Sequence, residues 1–250
     1  MNVLSKTTLL ACTALALGAC GGNDVADALN IGSPRARVVN AIVDGPSVQV
    51  YRNSDLQSDA GTLAYAQSSK YFDTVETTST WSLRDASSGT RVGSTSLRTA
   101  GSTRYTLVAV AGSSTQADLL QVSDPYDFAL GTDKARVRIV NASSAAGTVD
   151  VYLSAVGADI ASLAPTLSAV AYEGASPASG SNSYTLSAGS YELRLTAAGS
   201  KTVLFDGTLS AGEDDDLLLV TLPKADGATG IRVRRIPTDG DAADSDLPGN

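Results

Sequence analysis

The feature that most limits what this chain can fold into is a block that occurs twice. Arg37-Val38-Val39-Asn40-Ala41, followed by Val48-Gln49-Val50-Tyr51, returns as Arg138-Ile139-Val140-Asn141-Ala142, followed by Val149-Asp150-Val151-Tyr152. The offset, 138 − 37 = 101, holds without a gap from Arg37 to Tyr51. Looser matches follow in the same order. Trp81-Ser82-Leu83-Arg84 answers Tyr191-Glu192-Leu193-Arg194, and Ala100-Gly101 answers Ala211-Gly212, each ahead of an apolar segment, Tyr105 to Ala111 and Leu217 to Leu222. A fixed internal period marks a doubled structural unit. The expectation is two copies of one domain of about 100 residues, a usual domain size, joined around Ser123 to Asp133.

Each copy reads as strands. Apolar and polar residues alternate in Arg136-Val137-Arg138-Ile139, in Tyr191 to Thr196 and in Ile231-Arg232-Val233-Arg234. Period 2 is the mark of a sheet with one face in water. Turn signals separate the runs at Asp44-Gly45-Pro46, Ser87-Ser88-Gly89, Ser187-Ala188-Gly189 and Asp206-Gly207. Gly157 and Pro165 interrupt the Ala-rich stretch Ala155 to Ala171, so no long helix is expected there. Short strands at regular spacing predict an all-β chain of two tandem immunoglobulin-like β-sandwich domains.

The N-terminus predicts an address. Lys6 precedes an uncharged apolar run from Thr7 to Ala19, the layout of a signal peptide and too short to remain as a transmembrane helix. Leu17-Gly18-Ala19-Cys20 resembles the bacterial lipobox, with Cys20 as the lipidation site. Leu9-Leu10-Ala11-Cys12 looks superficially similar, but cutting there leaves too little apolar run for recognition. A soluble secreted protein with an ordinary Cys20 is the rival reading. Stable anchoring needs more than one acyl chain, and the resemblance implies a diacylglyceryl thioether, with a further chain such as palmitate on the amine. Gly21 in place of an aspartate points, by resemblance to enteric sorting rules, to the outer membrane. The expected organisation is a signal peptide over 1–19, lipidated Cys20 and a flexible tether over 20–33, sandwich repeats over 34–131 and 132–237, and a disordered acidic tail over 238–250.

The paired motifs also resemble a known family. Arg-Val-Val-Asn-Ala and Arg-Ile-Val-Asn-Ala starts, then Val149-Asp150-Val151-Tyr152 and Gly189-Ser190-Tyr191-Glu192-Leu193, look like the domain-of-unknown-function family 4397 of bacterial envelope proteins. The first copy departs from the pattern, with Gln49 for the Asp and Trp81 for the Tyr. The resemblance spans about Arg35 to Ile236. It implies an envelope lipoprotein built from immunoglobulin-like modules, and no settled activity.

Composition removes much chemistry. With no His, and Cys12 and Cys20 as the two Cys, catalysis by Ser-His-Asp or Cys-His and zinc sites built on His are excluded within one chain. A net charge of −8 opposes nucleic-acid binding. No cofactor and no catalytic residue is expected. Glu213-Asp214-Asp215-Asp216 is read as a solvated hairpin tip, with a Ca²⁺ site as the alternative. Arg37 and Arg138 are expected on the wet face of an edge strand, with Asn40 and Asn141 turning the chain, and a ligand patch is the rival reading. Tyr51 and Tyr152 are expected to pack a core with the hydroxyl at the rim, like a tyrosine corner.

The function expected is therefore that of a non-enzymatic lipoprotein. It would be held on the membrane by Cys20 and act as a structural, binding or adhesion module for an envelope protein or glycan. A carbohydrate-active enzyme using two carboxylates and a calcium-dependent binder are the alternatives.

Overall fold

The computed structural model describes residues 32–112, 116–125, 130–238 and 243–249. The first half of the chain contributes β1 (Arg35–Asn40), β2 (Val48–Arg52), β3 (Asp55–Leu56), β4 (Thr62–Leu63), β5 (Phe72–Asp73), β6 (Thr78–Asp85), β7 (Arg91–Arg98), β8 (Thr103–Val110) and β9 (Asp118–Pro125). The second contributes β10 (Lys134–Asn141), β11 (Val149–Ser154), β12 (Leu167–Val170), β13 (Gly174–Ser176), β14 (Tyr184–Ser187), β15 (Gly189–Ala197), β16 (Val203–Ala211), β17 (Asp216–Pro223), β18 (Ile231–Pro237) and β19 (Ser245–Asp246). Among the described residues no sheet mixes strands of the two halves. One half forms the sheets β5-β1-β8-β9 and β3-β2-β6-β7, with β4 also on β2; the other forms β13-β10-β17-β18-β19, with β14 also on β10, and β12-β11-β15-β16. The chain is all-β, folded as two β-sandwiches.

The repeat extends to the register. In each half the motif strand runs parallel to a strand late in the unit: β1 beside β8, with Val39 opposite Val108, and β10 beside β17, with Val140 opposite Val220. Alternate residues of these strands fill the core of their own sandwich. Ala36, Val38, Leu107 and Ala109 join Trp81 and Leu83 in the first; Val137, Ile139, Leu217 and Leu219 join Leu193 and Leu195 in the second.

The other face of the motif sheets is not wet. Val39, Val108, Val110 and Val122 of the first sandwich and Val140, Leu218, Val220, Leu222 and Ile236 of the second form a third buried cluster. The two motif sheets therefore pack face to face, and the molecule is four sheets deep. This corrects the expectation of one solvated face. It also corrects the placement of Arg37 and Arg138, which are 2 % and 1 % exposed and lie on interior strands, between neighbours on both sides.

The seam has an approximate two-fold symmetry. Tyr65 donates its hydroxyl hydrogen to the Pro223 carbonyl, and Tyr172 donates to the Ala111 carbonyl at 2.7 Å. Ala111 and Pro223 are equivalent, each three residues beyond the paired Val108 or Val220. Each tyrosine precedes a left-handed residue, Ala66 or Glu173, whose N–H bonds the carbonyl of the motif asparagine. Near the seam's far end Arg104 pairs with Asp216 at 2.9 Å, both side chains under a tenth exposed.

Part of the acidic tail is also ordered, contrary to expectation. β19 pairs with β18, Asp246 meets both Arg232 and Arg234 at 3.2 Å, and Leu247 is buried. The tail then crosses β16 at Gly207, where a Cβ would collide with the Pro248 carbonyl. The apolar side chain and the two arginines hold what composition alone suggested would stay in solvent. Among the described residues no helix is long and apolar enough to cross a membrane.

Candidate functional site

The sequence-predicted residues fall in three places. Cys20 and Cys12 lie outside the described residues. Of the acidic cluster, Asp216 is buried against Arg104 and Arg136, Asp215 accepts from the Gly212 N–H and pairs with Arg235 at 3.0 Å, and Glu213 accepts from the Asp133 N–H at 3.2 Å. Three of the four carboxylates are thus drawn to separate partners. Among the described residues no three metal-ligating side chains form a group that could hold an ion.

Asn40 and Asn141 turn the chain, by the same hydrogen bonds in both sandwiches. Asn40 Nδ2 donates to the carbonyls of Pro46 and Leu63, and its Oδ1 accepts from the Ile42 N–H. Asn141 Nδ2 donates to Gly147 and Val170, and its Oδ1 accepts from the Ser143 N–H and the Thr221 hydroxyl. One buried amide satisfies backbone groups of two loops that cannot reach water, which is why the motif needs an amide rather than an aliphatic residue.

Tyr51 and Tyr152 differ from expectation. Val48 and Val50, and Val149 and Val151, face the cores, so the intervening and following residues point to the outer sheet faces. There Tyr51 lies under the Arg84 guanidinium at 4.3 Å, and Tyr152 under Lys201, whose Nζ also donates to the Tyr152 hydroxyl at 2.9 Å. These are cation–π lids on a sheet surface rather than tyrosine corners.

The two motif arginines reach across the seam, and the difference between them defines the candidate site. Arg138 donates from Nε to Asp124 of the first sandwich at 2.9 Å, from Nη1 to the Pro177 and Ala178 carbonyls and from Nη2 to the Ser181 carbonyl, and Nη2 also forms an ion pair with Asp124. Four hydrogen bonds and an ion pair thus meet the guanidinium, which has five donors to place. Arg37 donates from Nε to the Thr106 hydroxyl at 2.9 Å and from Nη1 to the Pro237 carbonyl at 3.3 Å, and it lies 4.6 Å from the Tyr71 ring centre. Tyr71 shares its own hydroxyl with Thr106 at 3.1 Å.

The cause is a difference in loop length. Along β10 the neighbours move from Ala175, opposite Val140, to Tyr184, opposite Val137, nine positions later. Along β1 they move from Ser68, opposite Val39, to Phe72, opposite Ala36, four positions later. The longer loop of the second sandwich supplies the carbonyls that enclose Arg138. Over Arg37 there is instead a cleft of about 550 Å³, walled by Asp59, Ser69, Tyr71 and Arg234 among others, with Asp244 of the tail at its rim. Sequence reasoning missed this cleft; the signal was the failure of the 101-residue offset beyond the motif, where the second copy becomes longer.

Residues 34–152 match the family model of the domain of unknown function DUF4397, the family that the paired motifs resemble. The match takes in the whole first sandwich and continues through β10 into β11. No curated protein matches the chain.

Proposed function

Starting from the DUF4397 match over residues 34–152, we propose that the chain is a non-enzymatic cell-envelope lipoprotein, anchored in the outer membrane through Cys20. Its fused sandwiches serve as a rigid binding module for an envelope glycan or protein. The observation that carries the reading is the seam. An apolar interface capped by two interdomain tyrosine bonds favours a single stiff body, and pre-organisation of this kind lowers the entropic cost of binding a partner. The cleft beside Arg37 is the concave feature such a module offers to a partner.

Fractionation tests the anchor. Cys20→Ser is expected to move the protein out of the membrane fraction, and a variant that stays membrane-bound overturns it. Incubation of the purified protein with envelope polysaccharides tests the module: retention without release of reducing ends supports it. Turnover abolished by a single carboxylate substitution would establish the enzyme instead.

A further inference from the structure

We propose that the cleft over Arg37 receives an acidic sugar unit, with the sugar carboxylate on the Arg37 guanidinium; this names a ligand class for the binding module above and rests on that reading. The argument begins with the cost of burial. An arginine that is 2 % exposed is stable when its charge is met and its donors are used. Arg138 meets both conditions. Arg37 does not: its contacts are a hydroxyl, a carbonyl and an aromatic face, and among the described residues no carboxylate pairs with it.

The equivalence can be taken to a single position. Asp124, which neutralises Arg138, sits opposite Arg104 on β9. Its counterpart is Thr238, whose N–H bonds the carbonyl of Asp216, the residue equivalent to Arg104. A neutral side chain therefore stands beside Arg37 at the position where a carboxylate stands beside Arg138. A ligand carboxylate would restore the missing charge, by the two-pronged pairing that guanidinium and carboxylate geometry favours.

The walls decide what carries that carboxylate. A volume of about 550 Å³ suits a ligand of one or two sugar rings. Tyr71, Ser69 and Asp59 give the wall an aromatic ring beside polar groups. Asp59 and Asp244 accept hydrogen bonds from hydroxyls and repel further negative charge. A ligand with one anionic group and several hydroxyls fits this mixture. Lys70 and Arg234 also line the cleft, so its charge is mixed, and the comparison of uronate with phosphate below decides between a sugar carboxylate and a phosphate.

Calorimetric titration of the full-length protein with sodium glucuronate, sodium galacturonate, glucose and inorganic phosphate tests the proposal. At least one uronate should bind about tenfold more tightly than glucose, the worth of one charge-assisted pair. Arg37→Gln should remove that difference. Because a core arginine variant can fail to fold, the second variant is Thr238→Asp, which copies the carboxylate that already serves Arg138. It leaves Arg37 in place and should weaken uronate binding about tenfold by supplying an internal competitor. Uronates binding no better than glucose, or unaffected by Thr238→Asp, overturn the proposal. Phosphate binding as tightly as uronate overturns the assignment to a sugar. If Thr238→Asp leaves retention on envelope polysaccharide intact, the cleft assignment fails while the binding module stands; loss of retention by the unaltered protein fails both.

Discussion

At the scale of single residues, the seam contains groups that report on its integrity. Tyr172 donates to the Ala111 carbonyl of the other sandwich, and its phenol is pushed up to about 12, first by burial and then by the charges of Glu173 and Asp118. Tyr65, at the equivalent place, is raised in the same direction by burial, against the opposing charge of Arg232, whose guanidinium lies 4.9 Å from its ring centre. A phenol in the unfolded chain ionises near pH 10. The folded protein holds the Tyr172 proton to higher pH, so its contribution to stability is complete below about pH 10 and is lost as the pH rises towards 12. Melting temperature should fall across that window, and Tyr172→Phe should make the fall shallower while lowering stability at neutral pH by about 1 kcal/mol for the lost hydrogen bond. An unchanged alkaline profile in the variant would remove Tyr172 as the titrating group.

At the scale of elements, the motif strands explain what could be read in advance and what could not. Alternation in Arg136 to Ile139 identified a strand and assigned Val137 and Ile139 to a core correctly. It assigned the arginine side to water because period 2 records only that two faces differ, not what covers each. The evidence for a covered second face lay one strand away. Tyr105 to Ala111 and Leu217 to Leu222 are nearly continuous apolar runs, the pattern of strands buried on both sides. Only their registry beside β1 and β10 shows that the arginines share that covered face. The tail fails for a related reason. Its aspartates among small residues suggested disorder, whereas Arg232 and Arg234 of β18 present charge of opposite sign at the edge where β19 adds. Removing residues 243–250 should strip Leu247 from the second core and unpair two arginines, lowering stability by about 2 kcal/mol from the lost apolar burial. Chemical denaturation of the shortened chain measures this; a midpoint equal to that of the full chain would mean that β19 contributes nothing.

At the scale of the whole molecule, the doubled sequence has not produced two independent beads. Independent domains meet through polar interfaces and move relative to one another, whereas here valines and leucines of both motif sheets form a continuous buried cluster with a buried Arg104–Asp216 pair beside it. Exposing such a surface when one sandwich opens would cost the other its covering layer, so the two should unfold together. Calorimetry of the intact protein is expected to give one transition, with equal calorimetric and van't Hoff enthalpies. Leu218→Asp places an unpaired carboxylate in the middle of the seam without touching either sandwich's own core. It should divide the transition in two, the first sandwich and the second melting separately, and lower the earlier midpoint by several degrees. Two transitions in the unaltered protein would show that the seam does not couple the halves. In that case the rigidity invoked for binding would have to come from each sandwich alone, and the cleft, which is walled by both, would lose its fixed shape.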